Sequence, residues 1–144
     1  MIRRGGPKDY KVVDALWREA GLFPPTENPK AYLKDDDSHI FLVYEQDGKV
    51  VAAAVGLRFG PLANVASIAV HPNYQRRGIG TKLLNELCKQ LQQKGAKIAI
   101  LSLNTLSDKK QLDKFYRKNG FKGIRGVYLK RLTKNKRTKI HLII

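Results

Sequence analysis

The sequence predicts an α/β fold in which about six or seven strands form one mixed sheet, flanked by about four helices. In the first half of the chain, short apolar runs alternate with tight-turn dipeptides, a pattern typical of antiparallel strands. In the second half, a buried strand, an amphipathic helix and another buried strand follow one another, which is the order of a parallel crossover. A chain of 144 residues suits one domain, 1–144, with a single core.

A short strand and two helices are expected at the start of the chain. The strand spans Ile2–Arg4, and Asp9 caps a first helix that stops at Gly21. Pro29 occupies the first position of a second helix, which ends at Leu33. The side chains of the first helix that are expected to face inward are Val12, Val13, Leu16, Trp17 and Ala20.

Three antiparallel strands are expected next. Asp47-Gly48, the dipeptide favoured in a tight hairpin, joins strands predicted at 40–46 and 49–58. The central strand at 62–70 follows, and its Ile68-Ala69-Val70 run is apolar enough to be buried on both faces. Together these strands form an antiparallel half-sheet.

The second half of the chain starts with a glycine-containing loop at 75–80 and a long helix that ends at Lys94-Gly95. The helix leads to a buried strand at 98–103, which is therefore parallel to the central strand. A later helix contains Phe115 and Tyr116. The elements expected after it are the helix end at Asn119-Gly120, a strand at 121–132, a basic turn at 133–137 and a last strand at 139–144.

The loop between the central strand and its helix has the features of an anion-binding site. The first turn of a helix carries N–H groups without intrahelical partners and the positive end of the helix dipole. Gly78 and Gly80 leave these groups open, and Arg76 and Arg77 add charged donors beside them. The glycine spacing matches neither the Walker A loop nor the dinucleotide-binding fingerprint. A different phosphate-bearing ligand is expected.

Two segments resemble the GNAT superfamily of acetyl-CoA-dependent N-acetyltransferases. AVHPNYQRRGIGTKLL, residues 69–84, is similar to the central motif of that family, and FYRKNGF, residues 115–121, to its late helix and turn. The resemblance implies acetyl-CoA as the acetyl donor. It also implies a V-shaped splay between the strands at 62–70 and 98–103 that holds the pantetheine arm. The cofactor-binding residues that it implies are Ile68, Ala69, Val70, Gln75, Arg76, Arg77, Gly78, Ile79, Gly80, Thr81, Asn104 and Tyr116.

One of these cofactor contacts departs from the family pattern. Relatives carry an asparagine early in the late helix, seven residues before the tyrosine, and Lys109 stands at that place here. Either the preceding loop carries an insertion and Asn104 serves instead, or the contact is lost.

The resemblance also implies two groups that assist acetyl transfer. Tyr116 is the candidate general acid that protonates the departing thiolate of CoA, and the alternative is that its ring only packs beneath the cofactor. A backbone N–H near Val70, at a bulge in the central strand, is expected to bind the carbonyl oxygen as negative charge grows on it.

The general base remains open. Relatives carry a glutamate on the central strand or the next strand, where this chain has Ser67 and Ser102. Glu45 is the candidate base by strand order, and His71 is the histidine nearest the motif, although each also has a structural interpretation. A chain of water molecules is the remaining route for the proton.

The net charge of +16 favours anionic partners. The candidate substrate-binding residues are Lys134, Lys136 and Arg137, in a basic turn that borders the acceptor groove in relatives. The amine acceptor is accordingly expected to be acidic or to be held by an anionic scaffold such as RNA. The alternative is a solvated basic turn that keeps the protein soluble.

Two other functions stay open at this point. One is an acetyl-CoA-binding regulator without catalysis, and the other is a basic module that binds nucleic acid without sequence specificity. The chain shows none of the motifs that read nucleic-acid sequence. No metal is expected, because three histidines and one cysteine do not converge at ligand spacing.

Location and assembly are only weakly specified by the sequence. The apolar runs are too short to span a bilayer and the first residues lack a signal-peptide pattern, so a cytoplasmic protein without a membrane partner is expected. Cys88, the single cysteine, is expected to pack as a small apolar residue. Monomer and homodimer are both compatible with these features.

Overall fold

The computed structural model describes residues 1–20, 28–102, 109–124 and 127–132. These ranges contain seven strands in one sheet and three α-helices, in agreement with the predicted mixed α/β architecture. The strands are β1 (Ile2–Arg4), β2 (His39–Gln46), β3 (Lys49–Phe59), β4 (Leu62–Val70), β5 (Ile98–Ser102), β6 (Lys122–Ile124) and β7 (Val127–Arg131); the helices are α1 (Tyr10–Glu19), α2 (Ile79–Gln93) and α3 (Lys109–Lys118).

The sheet has the order β1-β2-β3-β4-β5-β7-β6. Neighbouring strands are antiparallel except β4 and β5, which are parallel because α2 connects them. The predicted Asp47-Gly48 turn joins β2 to β3 with positive φ angles of 53° and 74° at its two residues, as a tight hairpin requires.

The single strand predicted at 121–132 is wrong, because two antiparallel strands, β6 and β7, occupy that stretch. The glycines at positions 123 and 126 are the sequence signal for this interruption. β7 inserts between β5 and β6, so the last strand in the described chain is not at the sheet edge.

Helices cover both faces of the sheet. α1 packs on one face through Val13, Leu16 and Trp17, and α2 packs on the other through an apolar stripe. The predicted inward orientation of Val12 is wrong, since its side chain is 45% exposed and lies off the apolar face of α1. The buried residues of α2 are Ile79, Leu83, Leu84, Leu87, Cys88 and Leu91.

Two helix starts differ from the prediction. Asp9 precedes α1, but its carboxylate makes no cap bond to that helix and accepts instead from the Gly6 backbone N–H and the Arg3 guanidinium. The second helix is only a short 3₁₀ turn, Pro29–Ala31, which the Asn28 side chain caps by accepting from the Lys30 N–H at 3.1 Å.

Several predictions fall outside the described residues. They concern the stop of the first helix at Gly21, the contact of Asn104, the basic turn and the last strand at 139–144. The substrate-binding candidates Lys134, Lys136 and Arg137 lie there as well. Among the helices that the structure does describe, none combines the length and the apolar character needed to cross a membrane.

Candidate functional site

The parallel strands β4 and β5 pair over only part of their length. Their register runs from Leu62–Ile98 to Asn64–Ile100 and then ends, although β4 continues to Val70. Within the described residues, the second half of β4 therefore has a strand neighbour on its β3 side only. This is the splay that was predicted between these two strands.

A β-bulge lies where the two strands separate. On β3, Gly56 pairs with Val65 and Val55 pairs with Ser67, so Ala66 of β4 is the extra residue. A bulge bends its strand and increases the local twist, which directs the end of β4 away from β5. The prediction of a bulge near Val70 was wrong in position, because the bulge lies four residues earlier.

The edge of β4 that faces the splay presents the backbone N–H and carbonyl groups of every second residue. The His71 N–H donates to the Val51 carbonyl at 2.8 Å, and in an antiparallel ladder every second residue bonds to the same neighbour. Ala69 thus directs its backbone groups toward β3, and Ile68 and Val70 direct theirs into the splay. The Val70 carbonyl accepts a hydrogen bond of 3.0 Å from the Gln75 side-chain amide.

The glycine loop ends at an open helix N-terminus. Gly78, the N-cap residue of α2, has φ 82°, and the first bond of the helix runs from the Lys82 N–H to the Gly78 carbonyl at 3.1 Å. The N–H groups of Ile79, Gly80 and Thr81 consequently have no acceptor within the helix. The buried Ile79 side chain fixes this turn to the core.

Exposed cations surround the loop. Arg76 and Arg77 are both exposed, and Arg76 adopts a left-handed backbone conformation with φ 63°. The Arg77 guanidinium lies 5.2 Å from the ring centre of Tyr74, which in turn meets the His71 ring edge-on at 5.9 Å. This stacking orders Arg77 beside the open N–H groups.

Helix α3 approaches the same point. A Cβ placed on Gly80 would lie 3.4 Å from the Phe115 ring and 3.6 Å from the Val70 side chain. The Asn119 side-chain amide lies 3.5 Å from the Thr81 hydroxyl. The end of β4, the start of α2 and the inner face of α3 therefore converge at Gly80.

Tyr116 lies on this inner face of α3 and is only 3% exposed. Its ring packs against Phe115, Phe121 and Tyr128, with centroid separations of 5.1, 5.8 and 5.6 Å. Burial, together with the neighbouring Tyr128, raises the pKa of Tyr116 above its ordinary value. The hydroxyl therefore keeps its proton at neutral pH. Lys109, at the place of the family asparagine, is the first residue of α3.

The candidate bases have other partners. Glu45 lies on β2, two strands away from β4 in the sheet. Its carboxylate accepts a hydrogen bond from the Arg3 side chain at 2.8 Å. Nδ1 of His71 accepts from the Asn73 N–H at 3.1 Å, which in neutral imidazole places the proton on Nε2. The Ser67 hydroxyl donates to the Ala66 carbonyl at 2.7 Å. The structure brings none of the three into the splay as a free base.

Cys88 occupies the core, as predicted. It is 5% exposed, and burial raises the pKa of its thiol, which disfavours the reactive thiolate.

The model of the acetyltransferase (GNAT) family matches residues 10–121, more than two thirds of the chain. The chain belongs to the GNAT family. Solved structures of family members have the same fold at low identity. The ribosomal-protein-S18-alanine N-acetyltransferase from Escherichia coli is 21% identical, with a TM-score of 0.77 over 97% of this chain and 99% of the other.

Two structures from Thermoplasma species are also similar, with somewhat lower TM-scores. The PaiA N-acetyltransferase from Thermoplasma acidophilum, solved in complex with coenzyme A, is 19% identical with a TM-score of 0.71, over 91% of this chain and 98% of the other. Ard1 from Thermoplasma volcanium is 22% identical with a TM-score of 0.69, over 90% and 93%. At these identities the similarity establishes the GNAT fold and leaves the acceptor open.

Two side-chain roles in this GNAT site were not anticipated from the sequence. They are the bond from Gln75 to the Val70 carbonyl and the stacking of Arg77 on Tyr74. The first links the loop to the end of β4, and the second links it to the turn at Pro72–Tyr74. A glutamine at the first motif position and an aromatic residue three before the second arginine were the available signals.

Proposed function

We propose that this GNAT protein transfers an acetyl group from acetyl-CoA directly to a primary amine. The observation that carries the proposal is the continuity of two sets of backbone donors. The first set lies along the unpaired edge of β4 at Ile68 and Val70, and the second lies at the open N-terminus of α2 that follows Gly78. A ligand with peptide-like amides at one end and a diphosphate at the other matches that arrangement.

Each part of acetyl-CoA has a complementary surface in this proposal. The diphosphate accepts hydrogen bonds from the N–H groups of Ile79, Gly80 and Thr81, in the positive field of the α2 dipole. Arg76 and Arg77 add charge on the exposed side. The amides of the pantetheine arm pair with the backbone of Ile68 and Val70 as an additional strand would.

Acetyl transfer needs a hydrogen bond to the carbonyl oxygen as negative charge grows on it, a proton for the departing thiolate, and an acceptor for the proton that leaves the amine. The amine nitrogen attacks the thioester carbonyl carbon, and the oxygen accepts a hydrogen bond from an N–H on the splay side of β4. The carbon–sulfur bond then breaks. The Tyr116 hydroxyl, which its buried site keeps protonated, gives its proton to the departing thiolate and recovers one from water.

Removal of the amine proton is assigned to water that enters the splay. Glu45 and His71 are occupied by Arg3 and by the Asn73 N–H, and the described part of β4 carries no acidic side chain. The rate at low amine concentration is therefore expected to rise with pH until the free acceptor amine is fully neutral.

The test is thiol release from acetyl-CoA in the presence of a panel of amines. The panel contains peptides with free N-termini, N-terminally blocked lysine peptides, polyamines and amino acids. Amine-dependent release of CoA, with a matching mass increase of the acceptor, is the expected result. Calorimetric binding of acetyl-CoA without release for any acceptor would favour the regulator instead, and the absence of both would contradict the proposal.

A further inference from the structure

Helix α3 contributes few apolar side chains to the core. Among its described side chains, Leu112, Phe115 and Tyr116 pack against the core cluster, and six of its ten residues are charged. Helix α2, in contrast, buries six side chains along one face. Because less apolar surface holds α3 in place, its position depends more on polar contacts than the position of α2 does.

Two side chains of strand β7 contact α3 on either side of Tyr116. The Tyr128 hydroxyl donates to the Asp113 carboxylate at 2.5 Å, and the Lys130 ammonium donates to the Asn119 backbone carbonyl at 2.8 Å. Tyr128 and Lys130 are alternate residues of one strand, so their side chains leave the same face of the sheet. Asp113 lies three residues before Tyr116, and Asn119 lies three residues after it.

The Tyr128 ring is buried between α3 and the sheet. It is 4% exposed and packs against the Tyr116 ring at a centroid separation of 5.6 Å. Gly123 of β6 is its register partner, and a Cβ on that glycine would lie 2.7 Å from the Tyr128 ring, closer than Cβ atoms approach other atoms. The missing side chain at position 123 therefore leaves the space that the Tyr128 ring occupies.

The hydrogen bond between Tyr128 and Asp113 has an ionised acceptor. It lowers the pKa of the Asp113 carboxyl and raises the pKa of the Tyr128 hydroxyl, so a neutral phenol donates to a carboxylate at neutral pH, which makes a strong bond. Arg117 also donates to both oxygens of Asp113, at 3.0 Å. Since Arg117 belongs to α3 itself, its bonds do not attach the helix to the sheet, whereas the bond from Tyr128 does.

We propose that Tyr128 is a positioning residue for Tyr116: its bond to Asp113 holds α3 where the Tyr116 hydroxyl reaches the sulfur of CoA. A general acid must come within hydrogen-bonding distance of the atom that it protonates, and a displacement of about 1 Å is enough to lower a rate strongly. Tyr128 acts through α3 and not on the reactants. The effect on catalysis rests on the proposed acetyl transfer, but the attachment of α3 is tested separately from it.

Four variants test the attachment. Tyr128→Phe removes the hydroxyl and keeps the buried ring, Asp113→Ala removes the acceptor, and Asp113→Asn keeps an acceptor oxygen. Arg117→Gln is the matched control, because it removes the other donor to the same carboxylate and leaves the bond from Tyr128. Thermal melting and acetyl-CoA calorimetry verify that each variant is folded. If Tyr128→Phe does not fold, Asp113→Ala takes its place, since the Asp113 side chain is 39% exposed.

Backbone amide hydrogen exchange in α3, with α2 as the internal reference, measures the attachment directly. Exchange in α3 is expected to be at least about fivefold faster in Tyr128→Phe and in Asp113→Ala, with α2 unchanged. Arg117→Gln is expected to stay within about twofold of wild type, and Asp113→Asn is expected to have a smaller effect than Asp113→Ala. Unchanged exchange in both Tyr128→Phe and Asp113→Ala would overturn the inference, even if the wild type transferred acetyl to no amine.

Thiol release measures the consequence for catalysis. Tyr128→Phe is expected to lower kcat about tenfold and to leave the affinity for acetyl-CoA within about twofold, and Asp113→Asn is expected to keep most of the activity. In a Tyr116→Phe background, Tyr128→Phe is expected to change kcat less than about twofold, because no hydroxyl is left to misplace. A further tenfold loss in that background, or an equal loss for Arg117→Gln, would contradict a role through Tyr116.

Discussion

Gly78 and Gly80 are both motif glycines, but the structure gives them different physical roles. Gly78 has a left-handed φ of 82° and open space where a Cβ would lie. Gly80 lacks a positive φ, and a Cβ on it would touch Phe115 at an ordinary contact distance of 3.4 Å. The left-handed φ favours glycine at position 78, where the missing side chain also leaves the loop open. Gly80 instead determines how closely α3 approaches the start of α2.

The first prediction separates these roles. Gly78→Ala is expected to weaken acetyl-CoA binding at least about tenfold, because its methyl group would occupy the open space at the loop, where the ligand is proposed to bind. Gly80→Ala is expected to change it less than about threefold. Gly48→Ala is the matched control: it has a similar φ of 74° and equally open space, but lies in the β2–β3 hairpin. Calorimetry measures all three, and a loss for Gly48→Ala equal to that for Gly78→Ala would assign the effect to backbone strain.

The second prediction concerns Tyr116. If its hydroxyl protonates the thiolate, Tyr116→Phe lowers kcat about 100-fold and leaves the affinity for acetyl-CoA nearly unchanged, because the ring packing is preserved. Steady-state thiol release and calorimetry measure the two quantities. A kcat within about twofold of wild type would show that the tyrosine only packs.

The raised pKa of Tyr116 also predicts a stability effect at high pH. A group whose pKa is higher in the folded than in the unfolded protein favours folding while it is protonated in both states. That contribution is lost as pH rises above about 10, the tyrosine value in the unfolded chain. Denaturant unfolding at pH 9 and 11 should therefore show a larger loss of stability for wild type than for Tyr116→Phe, and equal losses would contradict a raised pKa.

At the residue scale, local sequence patterns are enough to propose the phosphate-binding loop, but they do not show which partners a candidate base has. The Gln75–Gly80 loop follows from local spacing, since glycine positions and helix starts are short-range features. The partner of Glu45 does not, because Arg3 is distant in sequence from Glu45 and reaches it only when β1 pairs with β2. Long-range pairing is invisible to local patterns.

At the scale of secondary-structure elements, the bulge in β4 is the feature that opens the site. Regular pairing with β5 ends at Asn64, and two residues later Ala66 interrupts the ladder with β3. The strand thus keeps its antiparallel neighbour while it bends away from its parallel one. Sequence patterns predicted the strand bounds at 62–70 correctly, but they carry no information about one extra residue within the strand.

The fourth prediction follows from this arrangement. Deletion of Ala66 removes the extra residue and leaves every other β3–β4 pair in register, with Val65 opposite Gly56 and Ser67 opposite Val55. The protein is expected to fold, because no buried side chain is lost and Ala66 is exposed. The straightened strand is expected to close the splay and to weaken acetyl-CoA binding at least about tenfold.

Calorimetry with the deletion variant measures this effect, and hydrogen exchange at Ile68 and Val70 reports whether their amides have become protected by β5. Deletion variants are often unstable, so thermal melting is measured first. A folded variant that binds acetyl-CoA as tightly as wild type would contradict the role assigned to the bulge.

At the scale of the whole molecule, the net charge of +16 is the dominant electrostatic feature. Positive charge of this size is expected to accelerate the approach of an anionic ligand such as acetyl-CoA. The fold class and the parallel crossover could be predicted from local periodicity. The order β5-β7-β6 could not, because it depends on where a late hairpin inserts.

The central claim is that β4 and α2 together bind acetyl-CoA, and a crystal structure of the protein with coenzyme A tests it most directly. The account predicts diphosphate oxygens within hydrogen-bonding distance of the backbone nitrogens of Ile79 and Gly80, and pantetheine amides paired with the backbone of Ile68 and Val70. A ligand bound elsewhere, with the splay and the start of α2 empty, would contradict it.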